Sequence, residues 1–313
     1  MNYSGMEMRK AYAAVLEELG TADKDVYVLE ADLSSSMSTA GLKDKLGPNY
    51  INVGIMEAHM MGVAAGLGLA GGYAFVHSFG QFVTRRAFDQ LFVSLAYSKV
   101  PACIVGSDAG VTAEHNGGTH MTFEDMGLVR VIPDVQLYDV CDPVQFAAIL
   151  KKARESGKLT YIRTIRKAPK TTIYPDGETF GDEGGRVLRE GTDVTLVACG
   201  IEVGEALAAA DLLAEEGISA EVIDMFRIKP LDSELLLRSA GKTGRVVTAE
   251  NHSVINGLGS AVAETLAEHL PTPMERIGVI EHFGQVGLTD YLMEFYQLTA
   301  SDIAVAARKV LKR

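Results

Sequence analysis

The stretch YINVGIMEAHMMGVAAGLGLAGGYAFVHSF, residues 50–79, decides the fold of this chain. It opens with a short apolar strand at 50–54, continues as a helix from Met56 to about Leu69, and closes with a second apolar strand at 73–78. Two strands joined through a helix are parallel neighbours in a sheet, and strands this apolar are covered on both faces. The stretch therefore predicts one strand–helix–strand unit of a layered α/β domain.

The same alternation of strands and helices extends outward from this unit. It predicts helices near 6–20, at about 82–97 and at 143–156, and strands at 26–32, 102–107, 135–140 and 159–165. A segment rich in Gly, Pro and charge then interrupts the pattern, after which the alternation begins again. We predict two α/β domains, each a mostly parallel sheet flanked by helices: a first domain at 1–170, a linker at 171–190 and a second domain at 191–313.

Charge and apolar content argue against several kinds of partner. The 313 residues include 29 Lys and Arg against 41 Asp and Glu, a net charge of −12, without a basic run. Nucleic acids and anionic membranes bind clustered basic residues, so neither is a predicted partner. No apolar run approaches the roughly 18 residues that span a bilayer, and the N-terminus lacks the apolar core of a signal peptide. We predict a soluble, cytoplasmic protein.

Metal ligands form no recognisable pattern in the sequence. Cys103, Cys141 and Cys199 each lie in an apolar, strand-like stretch, which predicts buried and reduced thiols. The seven histidines are scattered without ligand spacing, so no metal site is predicted. The glycines of GLGLAG at 66–71 end a helix instead of opening one, which argues against a dinucleotide site.

Glu57 is the first candidate for chemistry. It opens a helix directly after a buried strand, where a carboxylate ordinarily serves as a partner of the helix dipole. Its sequence neighbours Ile55, Met56, Met60 and Met61 predict an apolar setting that favours the protonated carboxyl, as acid–base catalysis requires. Both interpretations stay open from the spacing alone.

Two further groups of residues are candidates for a ligand site. The polar loop SDAGVTAEHNGGTHMTFED, 107–125, follows a predicted strand, and ligands of open α/β sheets gather at the carboxyl ends of strands. In this loop His120 precedes a predicted helix, where it could face a cleft or solvent. Phe79 and Phe82 lie three residues apart, a spacing typical of core packing that could also offer ring faces to a flat heterocycle.

Read in order, these segments resemble the C-terminal half of transketolase over nearly the whole chain. The matching segments are ADLSSSM at 31–37, NVGIMEAHMMGVAAGLGLAG at 52–71, SFGQFVTRRAFDQ at 78–90, NGGTHMTFEDMGLVR at 116–130, AENHSVINGLGSAVAE at 249–264 and FGQVGLTDYLMEFYQLTA at 283–300. The resemblance implies a pyrimidine-binding domain followed by a transketolase C-terminal domain. It also implies thiamine diphosphate as cofactor, and transfer of a two-carbon unit from a ketose to an aldose.

Residue roles follow from the resemblance. Glu57 would hydrogen-bond N1′ of the cofactor's aminopyrimidine and shuttle a proton there, so that the thiazolium carbon C2 can attack a ketose carbonyl. Phe79 and Phe82 would stack on the pyrimidine, Asp32 would join the cofactor site, and His120 would hydrogen-bond substrate oxygens. The sugar phosphate would be held by residues at three further matching positions: Arg9, Ser36 and Arg166.

The sequence departs from the family pattern at three positions. Asn116 replaces an aspartate that reads the donor's hydroxyl stereochemistry, and Asp108 replaces a histidine that contacts phosphate. His59 stands in the triplet after the glutamate, where the family has asparagine. An anionic Asp108 would repel phosphate, so we expect a specialised sugar in place of the ordinary pentose phosphates.

An absent motif implies a partner chain. The family holds Mg²⁺ and the diphosphate with a Gly-Asp-Gly signature followed by paired asparagines, and neither occurs here. The resemblance therefore implies a separate N-terminal, diphosphate-binding subunit, an α2β2 assembly with self-dimer contacts, and cofactor shared between the chains.

The sequence is also compatible with several other functions. The β subunit of a 2-oxoacid dehydrogenase has the same two domains, although ADLSSS, the Thr-His-Met loop and Arg166 favour transketolase. Half of a deoxyxylulose-phosphate synthase, a non-catalytic transketolase-like subunit and a stand-alone nucleotide-binding module are the further alternatives.

Overall fold

The computed structural model describes residues 2–313, which form two compact units. The first unit comprises residues 2–109 and Leu128–Gly181, and the second comprises Gly110–Gly127 and Asp182–Arg313. Both are built of strands and helices in α/β layers, which confirms the predicted fold class. None of the helices formed by residues 2–313 combines the length and apolar character that crossing a bilayer requires.

The first unit contributes six mutually parallel strands in the order β5-β6-β4-β3-β1-β2. The strands are β1 (Val26–Glu30), β2 (Tyr50–Asn52), β3 (Tyr73–Phe79), β4 (Ala102–Ser107), β5 (Gln136–Asp139) and β6 (Thr160–Arg163). The helices are α1 (Met8–Ala22), α2 (Leu42–Leu46), α3 (Glu57–Leu69), α4 (Gly80–Val83), α5 (Phe88–Gln90), α6 (Asp125–Arg130, shared with the second unit) and α7 (Pro143–Ser156).

Burial on both faces makes the central strands a rigid support. Every residue of β3 and β4 is buried, as the uninterrupted apolar sequence predicts. Because all six strands are parallel, their carboxyl ends meet at one edge of the sheet. Asp32, Asp108 and Arg166 come shortly after β1, β4 and β6, and Phe79 is the last residue of β3. The fold therefore brings these candidates to the same edge.

The second unit has a five-stranded sheet in the order β12-β11-β8-β9-β7. Its strands are β7 (Arg186–Arg189), β8 (Val194–Ala198), β9 (Ala220–Asp224), β11 (Val246–Ser253) and β12 (Met274–Val279), with the short strand β10 (Arg227–Lys229) in addition. Its helices are α8 (Glu202–Ala214), α9 (Ser233–Thr243), α10 (Leu258–His269), α11 (Thr289–Phe295) and α12 (Ala300–Val310). All ladders except that of β7 are parallel.

One expectation about secondary structure is wrong. The single helix predicted at about 82–97 is three pieces: α4, α5 and a π-helix at Leu91–Tyr97. The chain leaves helical geometry at Thr84, whose φ is −109° and ψ is −89°, after its hydroxyl has bonded the Gly80 carbonyl at 2.6 Å. The segment predicted as linker ends in β7, which pairs antiparallel with β9 at the sheet edge.

The polar loop packs with the second unit, although its place in the sequence is within the predicted first domain. Val111, Ala113, Met121 and Phe123 share a buried cluster with residues of α11 and β12. The Val111 amide also donates to the Asn251 side chain at 3.0 Å. The helix that ends this loop begins at Asp125, later than the sequence pattern indicates.

Candidate active site

Glu57 is a buried carboxylate held by two polar partners. It is the first residue of α3 and only 2% exposed. Nη1 of Arg86 lies 3.0 Å from both of its carboxylate oxygens, and the Ser78 hydroxyl donates to Oε1 at 3.2 Å. These contacts orient the carboxylate at the first turn of α3, beside the positive end of the helix dipole.

The apolar setting predicted for Glu57 is wrong in part. Met60 and Met61 are buried, but Ile55 and Met56 expose 71% and 54% of their surface. The chain turns between β2 and α3, with Gly54 at φ 77°, and this turn directs the two side chains outward. The carboxylate consequently faces Arg86 and Ser78 in place of a hydrophobic pocket.

Phe79 and Phe82 form an aromatic pair at the end of β3. Their ring centres are 6.0 Å apart and the planes are inclined by 42°. The Arg86 guanidinium carbon lies 3.6 Å from the Phe82 ring centre, and that of Arg166 lies 5.2 Å from the Phe79 ring centre. Both rings therefore present a face to a planar cation, which distinguishes them from ordinary core packing.

Arg166 is paired with the buried carboxylate of Asp108. Its Nε donates to Oδ1 at 2.7 Å, and Nη2 lies 2.7 Å from Oδ2. Asp108 is 2% exposed and Arg166 26%, so the two-pronged contact is screened little by water. Asp108 has φ 55°, a left-handed conformation that Asp and Asn tolerate better than most residues.

Arg9 is also paired with a carboxylate. Its guanidinium donates to both Glu7 oxygens at 3.0 and 3.1 Å, and the Arg9 hydrogen bond lowers the pKa of Glu7. The Arg9 backbone amide donates to the Arg166 carbonyl at 3.1 Å, which brings the first turn of α1 beside Arg166. The structure thus brings together both arginines that were predicted to bind phosphate. Each of them is paired with a carboxylate, Arg9 with Glu7 and Arg166 with Asp108.

Asp32 and Ser36 lie in the turn after β1. Asp32 is exposed at φ 62°, and its amide donates to the Asn52 side chain at 3.0 Å. Ser36 is half-buried. The turn is anchored beneath by Tyr50, whose hydroxyl donates to Ser34 at 2.6 Å. Asp32 and Ser36 are therefore near the carboxyl end of the sheet.

A buried chain of polar side chains runs beneath the site, and the sequence pattern does not predict it. His77 Nδ1 lies 2.9 Å from Glu30 Oε2, and its Nε2 lies 3.0 Å from the Ser107 hydroxyl. The Thr39 hydroxyl donates to the other Glu30 oxygen at 2.6 Å. All four residues are fully buried, and Ser107 directly precedes Asp108. The only sequence signal was a histidine inside an apolar strand.

Asn116 and His120 belong to the second unit. Asn116 is exposed, while His120 is half-buried with Nδ1 2.8 Å from the Thr119 hydroxyl. The His120 amide donates to the carbonyl of Gly117 at 3.0 Å, which closes a turn through Gly118 and Thr119. Gly118 is needed for close approach as well, because a Cβ there would lie 2.2 Å from the Gly284 carbonyl oxygen.

The three cysteines and His59 lie in contrasting environments, the cysteines in the interior and His59 at the surface. The three cysteines are free and buried, as predicted, and burial raises the pKa of the Cys103 thiol. His59, which departs from the family pattern, is exposed on α3. Within residues 2–313 no three His, Cys, Asp or Glu side chains are grouped to hold a metal ion.

The Glu57 site fits a flat, nitrogen-bearing ring. The Arg86 guanidinium is planar, donates to the Glu57 carboxylate and stacks on Phe82. An aminopyrimidine offers the same combination of a flat face and ring or amino nitrogens at its edge. Glu57 and Phe82 are therefore the groups of this chain that would hold such a ring.

Comparisons with known proteins identify the family. The family described as "Transketolase, pyrimidine binding domain" matches residues 4–171, and "Transketolase, C-terminal domain" matches residues 183–303. The 6-deoxy-6-sulfo-D-fructose transketolase subunit SqwH of a Clostridium species is 46% identical over 306 residues, 98% of this chain and 95% of that protein. A subunit of the apulose-4-phosphate transketolase of Phocaeicola vulgatus is 32% identical, with 97% of each chain covered.

A solved structure is also similar over the whole chain. It is described as a split gene transketolase in an inactive β4 tetramer, and it is 42% identical with a TM-score of 0.90 and 99% of each chain covered. The fold and the two family matches define a transketolase-type protein with separate pyrimidine-binding and C-terminal domains. The chain belongs to the transketolase family, and these three relatives, which match it end to end, are described as transketolase subunits or as the product of a split transketolase gene.

Proposed function

We propose that this chain is the pyrimidine-binding subunit of a two-chain transketolase, which transfers a two-carbon ketol unit from a ketose to an aldose. The buried carboxylate of Glu57, placed beside the ring face of Phe82, is the observation that carries this proposal. Within the chain, residues 1–170 are the pyrimidine-binding domain, 171–190 the linker and 191–313 the C-terminal domain. The enzyme works in the cytoplasm.

The residues of the site have distinct roles. When bound, thiamine diphosphate supplies a nucleophilic carbon and an electron sink for cleaving the bond next to a carbonyl. Glu57 exchanges a proton with N1′ of the pyrimidine, and the Ser78 hydrogen bond fixes one carboxylate oxygen for that exchange. Phe79 and Phe82 would stack on the pyrimidine. Asp32 lines the cofactor site.

Other residues of the chain are proposed to hold the substrate. His120 hydrogen-bonds hydroxyl or carbonyl oxygens of the sugar, and Asn116 contacts the donor's hydroxyl groups. Arg9, Ser36 and Arg166 hold the far end of the sugar, beside Asp108. The net charge of the protein around Arg9 and Arg166 selects among substrates that differ in the charge of their terminal group.

A second type of chain completes the enzyme. We propose a diphosphate-binding subunit that supplies the ligands of Mg²⁺ and joins two copies of this chain in an α2β2 assembly with contacts between the copies. Ile55 and Met56, exposed directly before Glu57, support such a contact because large apolar side chains in a row seek a protein surface. That a related split-gene chain forms a tetramer described as inactive supports the same conclusion.

Carboxylates at the sugar-binding arginines indicate a substrate of low charge. Arg166 is neutralised by Asp108, and Arg9 by Glu7, so this end of the site carries little net positive charge. A phosphate ester carries about 1.5 to 2 negative charges at pH 7, whereas a sulfonate carries one. The name of the relative at 46% identity contains a sulfonated ketose. We therefore propose a ketose with a monoanionic terminus, with 6-deoxy-6-sulfofructose as the first candidate.

A panel of donors tests this function. The chain is mixed with its diphosphate-binding subunit, thiamine diphosphate and Mg²⁺, and kcat/KM is measured with sulfofructose, fructose 6-phosphate, xylulose 5-phosphate and pyruvate. We expect ketol transfer to an aldose phosphate with the sulfonated donor preferred. Turnover of pyruvate alone would assign the chain to the 2-oxoacid dehydrogenases, and no turnover of any donor would favour a non-catalytic subunit.

Replacing Asp108 with asparagine should shift the donor preference toward phosphate. Asparagine keeps the shape and tolerates φ 55°, but it leaves the Arg166 charge free to attract a dianion. We expect the ratio of kcat/KM for fructose 6-phosphate over sulfofructose to rise about tenfold, which corresponds to about 1.4 kcal/mol of transition-state binding. Asp25→Asn, which removes an exposed charge from the same unit, is the control. An unchanged ratio would mean that Asp108 does not select the donor.

A further inference from the structure

Arg86 occupies the two groups that this chain offers to the cofactor's pyrimidine. Its guanidinium carbon lies 3.6 Å from the Phe82 ring centre, the distance of a stacked contact. Its Nη1 lies 3.0 Å from each Glu57 oxygen. The break in the predicted helix at Thr84 is what brings Arg86 to this position.

A guanidinium and an aminopyrimidine cannot use these groups together. Each is a flat group that needs about 3.5 Å of clear space over the Phe82 face. Each also places a nitrogen at hydrogen-bond distance from the Glu57 carboxylate. Binding of the cofactor therefore requires that the Arg86 side chain move away.

We propose that Arg86 is a displaceable stand-in for the cofactor: it covers Glu57 in the cofactor-free chain and swings into solvent when thiamine diphosphate binds. This inference rests on the proposed function. The stand-in keeps the buried carboxylate paired before assembly, when an unpaired charge would be costly.

Displacement is feasible because the Arg86 side chain is only partly buried. Its side chain is 45% exposed, so water can solvate the charge as soon as the contact opens. The Ser78 hydroxyl continues to donate to Glu57 after Arg86 has left, and it keeps the carboxylate oriented. The contact therefore acts as a competitor of moderate strength for the cofactor, which reduces its apparent affinity by the fraction of time that the site is covered.

Cofactor binding by Arg86 variants tests the inference. Thiamine diphosphate is titrated by calorimetry, with Mg²⁺ present, into the complex of this chain with its diphosphate-binding subunit. For Arg86→Met we expect a dissociation constant about 3- to 10-fold lower than for the unmodified complex, because methionine cannot hydrogen-bond Glu57 and so competes less strongly for the site. Arg86→Lys keeps the charge without the flat, forked group, and it should fall between the two. Lys24→Met, which removes an exposed charge elsewhere in the first unit, is the control and should leave the constant unchanged.

A second measurement uses guanidinium chloride at low millimolar concentration, far below denaturing levels. The free ion should occupy the place of the lost side chain, so it should weaken cofactor binding to Arg86→Met and leave the unmodified complex unaffected. Equal or weaker cofactor binding by both Arg86 variants would overturn the inference. Failure of the unmodified complex to bind the cofactor at all would instead refute the proposed function.

Discussion

Replacing Glu57 with glutamine is expected to lower kcat of the assembled enzyme by about 10²- to 10⁴-fold, the range that a positioned acid–base group contributes. Glutamine has the size of glutamate and can still hydrogen-bond Ser78, but it cannot carry a proton to or from the pyrimidine. Loss of the ion pair costs little, since Arg86 is 45% exposed and can be solvated. Steady-state assays of the reconstituted enzyme, with circular dichroism of the variant chain, measure the effect.

The matched control is Glu155→Gln, an exposed position on α7. This variant should retain full activity, because it changes the same charge without touching the site. Glu57→Gln that kept kcat within a factor of about three of the unmodified enzyme would show that this carboxylate is not the proton carrier. The non-catalytic alternative would then become the better description of the chain.

His77→Leu is expected to destabilise the first unit by about 1–3 kcal/mol or more, the cost of leaving a buried polar group without its hydrogen-bond partner. The change leaves Glu30 fully buried with the Thr39 hydroxyl and without its histidine partner. It also leaves the Ser107 hydroxyl without the imidazole nitrogen that it contacts at 3.0 Å. Chemical denaturation followed by circular dichroism measures the free energy of unfolding.

His269→Leu is the control for this variant. His269 is exposed, and its ring lies 3.9 Å from the neighbouring Glu268 carboxylate, so its loss should change the unfolding free energy by less than about 0.5 kcal/mol. Adding Glu30→Met to His77→Leu removes the orphaned carboxylate and should restore part of the lost stability. Equal destabilisation by His77→Leu and His269→Leu would contradict the importance assigned to the buried network.

The sequence was sufficient for the parts of the fold that rest on local patterns. Strand β4 at Ala102–Ser107 and helix α7 at Pro143–Ser156 were predicted to the residue, because an uninterrupted apolar run and a Pro-initiated amphipathic helix leave few alternatives. The candidate residues at the sheet edge were also predictable. They follow strands of one parallel sheet, whose carboxyl ends must meet.

What the sequence could not reveal are contacts between residues far apart in the chain. Arg166 and its partner Asp108 are 58 positions apart in the sequence, and His77 and Glu30 are 47 positions apart. Patterns of local spacing therefore cannot predict either pair. The break at Thr84 was hidden because the apolar periodicity continues through it. That break brings Arg86 to Glu57. Together with the turn at Gly54, it explains why the expected apolar setting of Glu57 was wrong in part.

Binding of thiamine diphosphate and Mg²⁺, measured by calorimetry, tests the central claim most directly. The cofactor is titrated into this chain alone and then into this chain mixed with the diphosphate-binding subunit. We predict no measurable binding by the single chain and tight binding, with one cofactor per pair of subunits, by the mixture. Tight binding by this chain alone would contradict the two-chain account, because the diphosphate site would then have to lie within its own residues.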